Sequence, residues 1–125
     1  GNSFHTFLFN VFCNKQVITI DIQPEDDPWI ETIECDGLEY IKNNIEDFSD
    51  KVLFLAWIDY DNLTYNLLKN FKGSVIVSVG NYNEGNSQKY LNDLENNYDL
   101  IYHYRLNMPW NHIENLKIYT KKLIF

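Results

Sequence analysis

The sequence predicts an α/β fold: a mostly parallel sheet with helices on both faces, ending in an antiparallel strand pair. Three observations predict it. "QVITIDI", "KVLFLAWI" and "SVIVSVG" are short continuous apolar runs, the pattern of strands covered on both faces. Segments with apolar residues at helical spacing lie between them. Finally, "DLIYHYRL" and "NLKIYTKKLIF" alternate and have no helix-length pattern between them, so they should pair antiparallel. Helices alternating with buried strands imply parallel neighbours joined by right-handed crossovers.

The elements follow in order. Phe4, Phe7, Leu8, Val11 and Phe12 form one apolar helix face, with Ser3 or Asn2 as N-cap. "QVITIDI" is the first buried strand, "QPEDDP" breaks the chain, and "WIETIEC" alternates like an edge strand. Asp36 and Glu39 stand at capping-box spacing ahead of Leu38, Ile41, Ile45 and Phe48, which predicts a helix. "KVLFLAWI" is the second buried strand. Asp61 or Asn62 should cap a helix carrying Leu63, Leu67, Leu68 and Phe71, with Gly73 as its C′ stop. "SVIVSVG" is the third buried strand, and Ser87 caps a last helix through Leu91, Leu94 and Tyr98. With no repeat, linker or low-complexity block, residues 1–125 are expected to form one domain.

Composition narrows the function classes. At 125 residues and 45% apolar the chain has enough to bury a core. A net charge of −8 lacks the basic footprint of sequence-independent nucleic-acid binding, leaving room only for a small cationic patch near Lys117, Lys121 and Lys122. No apolar run reaches membrane-span length, and "GNSFHTFLFNVF" lacks a signal peptide's basic start and cleavage site. A cytoplasmic, intracellular protein is expected. Cys13 and Cys35 read as free buried thiols of a reducing compartment, and two cysteines make no zinc site. "EDD" at 25–27 reads as a solvated loop, so no metal site is expected. His5, His103 and His112 are dispersed without nucleophile partners, and no phosphate-cradling glycine motif occurs. Hydrolase and kinase chemistry therefore find no support.

In open parallel sheets ligands bind outside the strands' carboxyl ends. Asp21, Asp36, "AWIDYD" and "GNYNEG" each follow an expected strand directly. With these motifs the order of elements resembles a class I, Rossmann-like S-adenosylmethionine-dependent methyltransferase, over nearly the whole chain. That family ends in an antiparallel strand pair, carries an acid after its second strand, matched by Asp21, and often an Asp and a small residue after its third, matched by Asp36 and Gly37. Its catalytic motif follows the fourth strand, here Ala56 to Asp61, and branches with an "SWP"-like motif look closest to "FLAWIDY".

The resemblance implies S-adenosylmethionine as cofactor and a small molecule or a protein as methyl acceptor. Asp21 and Ile22 would meet the ribose, because a carboxylate is the compact double acceptor that a diol needs. Asp36 and Gly37 would meet the adenine, and Ala56 would line the site. Gly1 and Asn2 match the tail of the family's glycine-rich turn; with the family's first strand not in front of them, the chain is expected to be either a fragment beginning after that strand or a reduced relative. Trp57, Asp59 and Tyr60 would form the reaction floor: aromatic faces favour a sulfonium, and Asp59 is placed to take a proton. Blander readings stand beside these. Asp21 before "QP" suits a turn, Asp36 suits a helix cap, and Trp57 to Asp61 suit a strand end and a cap.

Ile58 and Asp59 replace the Pro-Pro pair that amino-group methyltransferases show, a departure from amine methylation. The alternative function is a catalytically inactive methyltransferase-like fold serving as an interaction or assembly module, its exposed sheet edge pairing with an oligomer mate or partner chain.

Overall fold

The computed structural model describes residues 3–44, 49–58, 62–81, 87–109 and 112–124. The chain divides into two compact units, Gly1–Asn43 and Asn44–Phe125.

The first unit contains helix α1 (Phe4–Cys13), strands β1 (Ile20–Asp21) and β2 (Ile33–Glu34), and helix α2 (Gly37–Asn43). Strand β1 pairs parallel with β2, Ile20 opposite Ile33 and Asp21 opposite Glu34. The expected seven-residue strand is therefore only two residues long. Ladder partners define a strand, and the ladder runs only from Ile33 N–H to the Thr19 carbonyl (2.9 Å) to Cys35 N–H on the Asp21 carbonyl (3.0 Å). β2 is as weak as its alternating sequence predicts, and both of its residues are exposed.

Helix α1 forms where its apolar spacing predicts, but none of its residues is buried. Phe4 and Phe7 set their rings against Trp29, centroids 5.2 and 5.1 Å away, while Val11 and Phe12 are exposed. Ser3 holds the N-cap position in a left-handed conformation (φ 62°) without side-chain capping; its Oγ pairs with Thr32 Oγ1 instead. Asn14 ends the helix at φ 47°, a conformation that asparagine tolerates well. The cap of α2 is as expected: Asp36 Oδ1 accepts from Glu39 N–H at 2.9 Å. Ile45 and Phe48, expected on the same helix, lie outside the described residues. Both cysteines are free, but Cys13 is exposed and Cys35 half-buried, correcting the expectation of buried thiols.

The second unit contains β3 (Val52–Ala56), α3 (Leu63–Asn70), β4 (Val75–Gly80), α4 (Gln88–Asn97), β5 (Tyr98–Met108) and β6 (His112–Lys121). Its strands make one sheet in the order β3-β4-β6-β5. β3 and β4 are parallel from Val52 opposite Val75 to Ala56 opposite Val79. β6 runs antiparallel to both neighbours, inserting between β4 and β5, and a bulge interrupts β5 between Leu100 and Tyr102. The antiparallel terminal pair is thus present, with β5 extended at both ends beyond the expected "DLIYHYRL" and β6 starting and ending earlier than the expected "NLKIYTKKLIF".

Registers place the buried Leu55, Ile76, Tyr98 and Tyr119 on one sheet face. Leu67, Leu68 and Phe71 from α3 and its end, with Tyr90 and Leu94 from α4, are buried too. The opposite face carries exposed Val52, Phe54, Tyr102 and Tyr104. "KVLFLAWI" is therefore not covered on both faces, and the helices of this unit do not bury both sides of its sheet. A continuous apolar run marks only which residues tolerate burial; packing decides which face receives it.

Three helix ends show what local sequence controls. Ser87 Oγ accepts from Tyr90 N–H at 3.3 Å, the expected cap. Asn62 holds the N-cap of α3 at φ 63° without a side-chain bond, while the other expected cap, Asp61, lies outside the described residues. Gly73 is no left-handed stop: α3 closes at extended Phe71, whose N–H meets the Leu67 carbonyl at 2.9 Å. Glycine is required there by crowding, since a Cβ would lie 2.3 Å from Phe71 Cζ and 2.6 Å from the Lys51 carbonyl oxygen. Tyr98, expected on the last helix, opens β5 instead, its N–H still held by the Leu94 carbonyl. Lys69 Nζ and Asp93 Oδ1, 3.0 Å apart, link α3 to α4.

Candidate functional site

In the first unit, the parallel pairing of β1 and β2 brings their carboxyl ends together, and with them Asp21 and the segment leading to Asp36. Asp21 Oδ1 accepts from Gln23 N–H at 2.8 Å, which folds the chain away from the strand and steadies the carboxylate. Asp36 spends Oδ1 on the cap of α2. A carboxylate has about four lone-pair directions, so the cap bond alone does not exhaust Asp36. Gly37 opens α2 and Ile22 is exposed beyond β1. Gly1 and Asn2 lie outside the described residues.

In the second unit the focus is the carboxyl ends of β3 and β4. Ala56 is the last residue of β3. Trp57 follows in a left-handed conformation (φ 49°), its N–H donating to the Val79 carbonyl at 2.9 Å and its residue surface 44% exposed. Gly80 ends β4 at φ 142°, where a side chain is strained. A Cβ built on Gly80 would stand 3.7 Å from Trp57 Cδ1 and 3.7 Å from Glu114 Oε2. An indole edge and a carboxylate therefore converge on the bare backbone of Gly80. Asp59 and Tyr60, the other expected reaction-floor residues, lie outside the described residues.

Glu114 was not among the sequence-derived site residues. It is 5% exposed and sits on β6, one residue before Asn115, which pairs with Gly80. A signal existed: Glu114 shares its strand face with Leu116 and Ile118, so the alternation of β6 places an acid where an apolar residue is expected. Buried carboxylates persist where partners or function hold them.

The terminal hairpin carries Lys117, Lys121 and, just past its end, Lys122. Lys117 lies opposite Ser78 on one side and His103 on the other, and burial pushes its ammonium below the usual lysine value. His103 Nε2 meets Asn115 Oδ1 at 2.7 Å. Lys122 Nζ donates to the Glu95 carbonyl at 2.7 Å. Glu25, Asp26 and Asp27 are exposed, and among the described residues no three His, Cys, Asp or Glu side chains gather at metal-binding distance. No described helix is long and apolar enough to cross a membrane.

Comparisons with protein-family models, curated proteins and solved structures find no match for this chain.

Proposed function

We propose that the chain is an S-adenosylmethionine-dependent methyltransferase, or a methyltransferase-like domain that binds this cofactor. The observation that carries the reading is the pair of acids at two neighbouring parallel strand ends, Asp21 as the last residue of β1 and Asp36 two residues past β2. Such positions suit a nucleoside, Asp21 accepting from the ribose diol and Asp36 from the adenine amino group. The antiparallel pair after the last helix agrees with the family's order of elements.

When bound, S-adenosylmethionine would supply an electrophilic methyl group on its sulfonium. The chain's task is then to position the acceptor, which is where most catalytic advantage arises in such a displacement. Trp57 offers an aromatic surface at the strand end, and Asp59 is the acid that would take the acceptor's proton.

Calorimetric titration with S-adenosylmethionine and its demethylated product tests the reading. Binding that Asp21→Ala weakens by about 1–3 kcal/mol, the value of a lost polar contact, is expected. No binding by the folded chain would remove the enzyme reading.

A second reading has its own support. The described strands fall into two sheets, and β5 is an edge strand with exposed Leu100, Ile101, Tyr102 and Tyr104 along it. Such an edge suits pairing with another chain, so a catalytically inactive assembly module is the alternative.

A further inference from the structure

The bulge in β5 changes which of its residues share a sheet face. Before it, Leu100 pairs with Tyr119; after it, Tyr102 pairs with Ile118 and His103 with Lys117. The extra residue reverses the alternation, so His103 and Arg105 join the face of Tyr98 and Tyr119. In an unbroken strand they would lie on the other face. Re-aiming side chains is a common use of such bulges.

The result is a local group of cations and donors. Arg105 stands directly opposite Asn115, and His103 directly opposite Lys117, all four on one face. Side chains facing one another across a ladder have Cβ atoms about 4.5–5.5 Å apart, so the four are close neighbours. On the far side of β6, Asn115 meets Gly80 and Lys117 meets Ser78. No carboxylate is among these partners, although the chain has 18 acids against 10 Lys and Arg residues. Cations gathered this way repel one another unless an anion joins them.

The hydrogen bonds assign roles. Asn115 Oδ1 meets His103 Nε2 at 2.7 Å, which uses the amide oxygen and leaves the NH2 group to donate. Arg105 is exposed and makes no ion pair with any described residue. Lys117 is half-buried, and burial depresses its pKa; an anion beside it would offset that effect.

We infer that Arg105, Asn115 and Lys117 form a binding site for a phosphate monoester group. His103 is the positioning residue, holding the Asn115 amide by its oxygen. The guanidinium fork and the amide NH2 offer several donors to phosphate oxygens, and two positive charges match the dianion. A carboxylate carries one charge and would leave the second cation unmatched. The overall charge of −8 does not prevent binding, because charges beyond about 8 Å are largely screened at physiological salt. Arg105 and Asn115 lie level with Gly80, the last residue of β4, and ligands of open α/β sheets bind at such strand ends. The inference rests on the methyl-transfer reading for one point, that the methyl acceptor carries the phosphate.

The test is a 1H–15N NMR titration of the whole chain with methyl phosphate, against acetate at matched ionic strength. At about pH 7.5 a phosphate monoester is mostly dianionic. Saturable shifts at the amides of His103, Arg105, Asn115 and Lys117 are expected from methyl phosphate, with acetate binding more weakly. Arg105→Gln should weaken phosphate binding about tenfold, the loss of one charge-assisted contact. Arg105→Lys should recover only part of it, because an ammonium lacks the fork. Asn115→Asp sets a negative charge in the site, should abolish binding, and serves if Arg105→Gln does not fold. No response to methyl phosphate, equal affinity for the two anions, or unchanged binding by either folded variant would each overturn the inference. S-adenosylmethionine calorimetry separates the two ideas. Cofactor binding without a phosphate response sinks only this site, whereas a phosphate response without cofactor binding sinks only the methyltransferase reading.

Discussion

The backbone N–H of Trp57 donates to the carbonyl oxygen of Val79 at 2.9 Å, one residue beyond the last register pair of β3 and β4. The ladder thus continues while Trp57 turns left-handed at φ 49°, a conformation costing an L-residue about 1–2 kcal/mol. Asparagine tolerates that conformation, so Trp57→Asn should hold global stability within about 1 kcal/mol of the parent by urea unfolding.

Two glycines should fail for different reasons. At Gly80 the nearest atoms to an added Cβ are 3.7 Å away, but φ is 142°, so Gly80→Ala should cost about 1–3 kcal/mol through backbone strain alone. Gly73 has no positive φ, yet its Cβ would meet Phe71 Cζ at 2.3 Å. Gly73→Ala should cost about 1–3 kcal/mol by overpacking, and a compensating Phe71→Leu should recover part of that loss. Denaturant midpoints of the single and double variants measure both effects.

The two roles of Asp36 can be separated. Asparagine caps a helix about as well as aspartate, so Asp36→Asn should leave stability nearly unchanged while weakening S-adenosylmethionine binding. Asp36→Ala removes the bond to Glu39 N–H and should lower stability by about 0.5–2 kcal/mol as well. Equal cofactor binding by parent and Asp36→Asn would leave the cap as this acid's whole purpose. Ser87→Ala is the matching control in the second unit, with a similar stability loss and no effect on the cofactor.

Tyr98 ties stability to alkaline pH. Its hydroxyl titrates above the ordinary tyrosine value, chiefly because burial disfavours the phenolate and secondarily because Asp93 is near. A group whose folded pKa is raised contributes stability that is fully present below the unfolded pKa, near 10, and is lost as pH rises through the folded value. Urea unfolding followed from about pH 8 upward should therefore show a decline beginning near pH 10. Tyr98→Phe should flatten that part of the decline, and an unchanged slope would assign it to other groups.

Much of the local structure was legible in the residues. The caps at Asp36 and Ser87 were, because each is a bond spanning three residues and needs no distant partner. The terminal antiparallel pair was, because alternation without an intervening helix allows little else. The failures share the opposite property. "QVITIDI" shrank to two residues because a strand exists only where a neighbour offers a ladder. The apolar stripe of α1 formed without being buried, since periodicity describes a helix's face and not what meets it. Ser3 matched a cap by type, but its hydroxyl went to Thr32, 29 residues away.

By itself the sequence determined the α/β class, the helices, the acids ending β1 and following β2, and the indole after β3, all set by short-range spacing and side-chain chemistry. Tertiary structure alone decided that β6 lies between β4 and β5, and so which residues face one another across strands. That register carries Glu114 to Gly80 and Trp57, from 34 and 57 positions away along the chain. Cross-strand neighbours are chosen by the packing and hydrogen bonding of whole elements, a long-range outcome that no single stretch of residues contains.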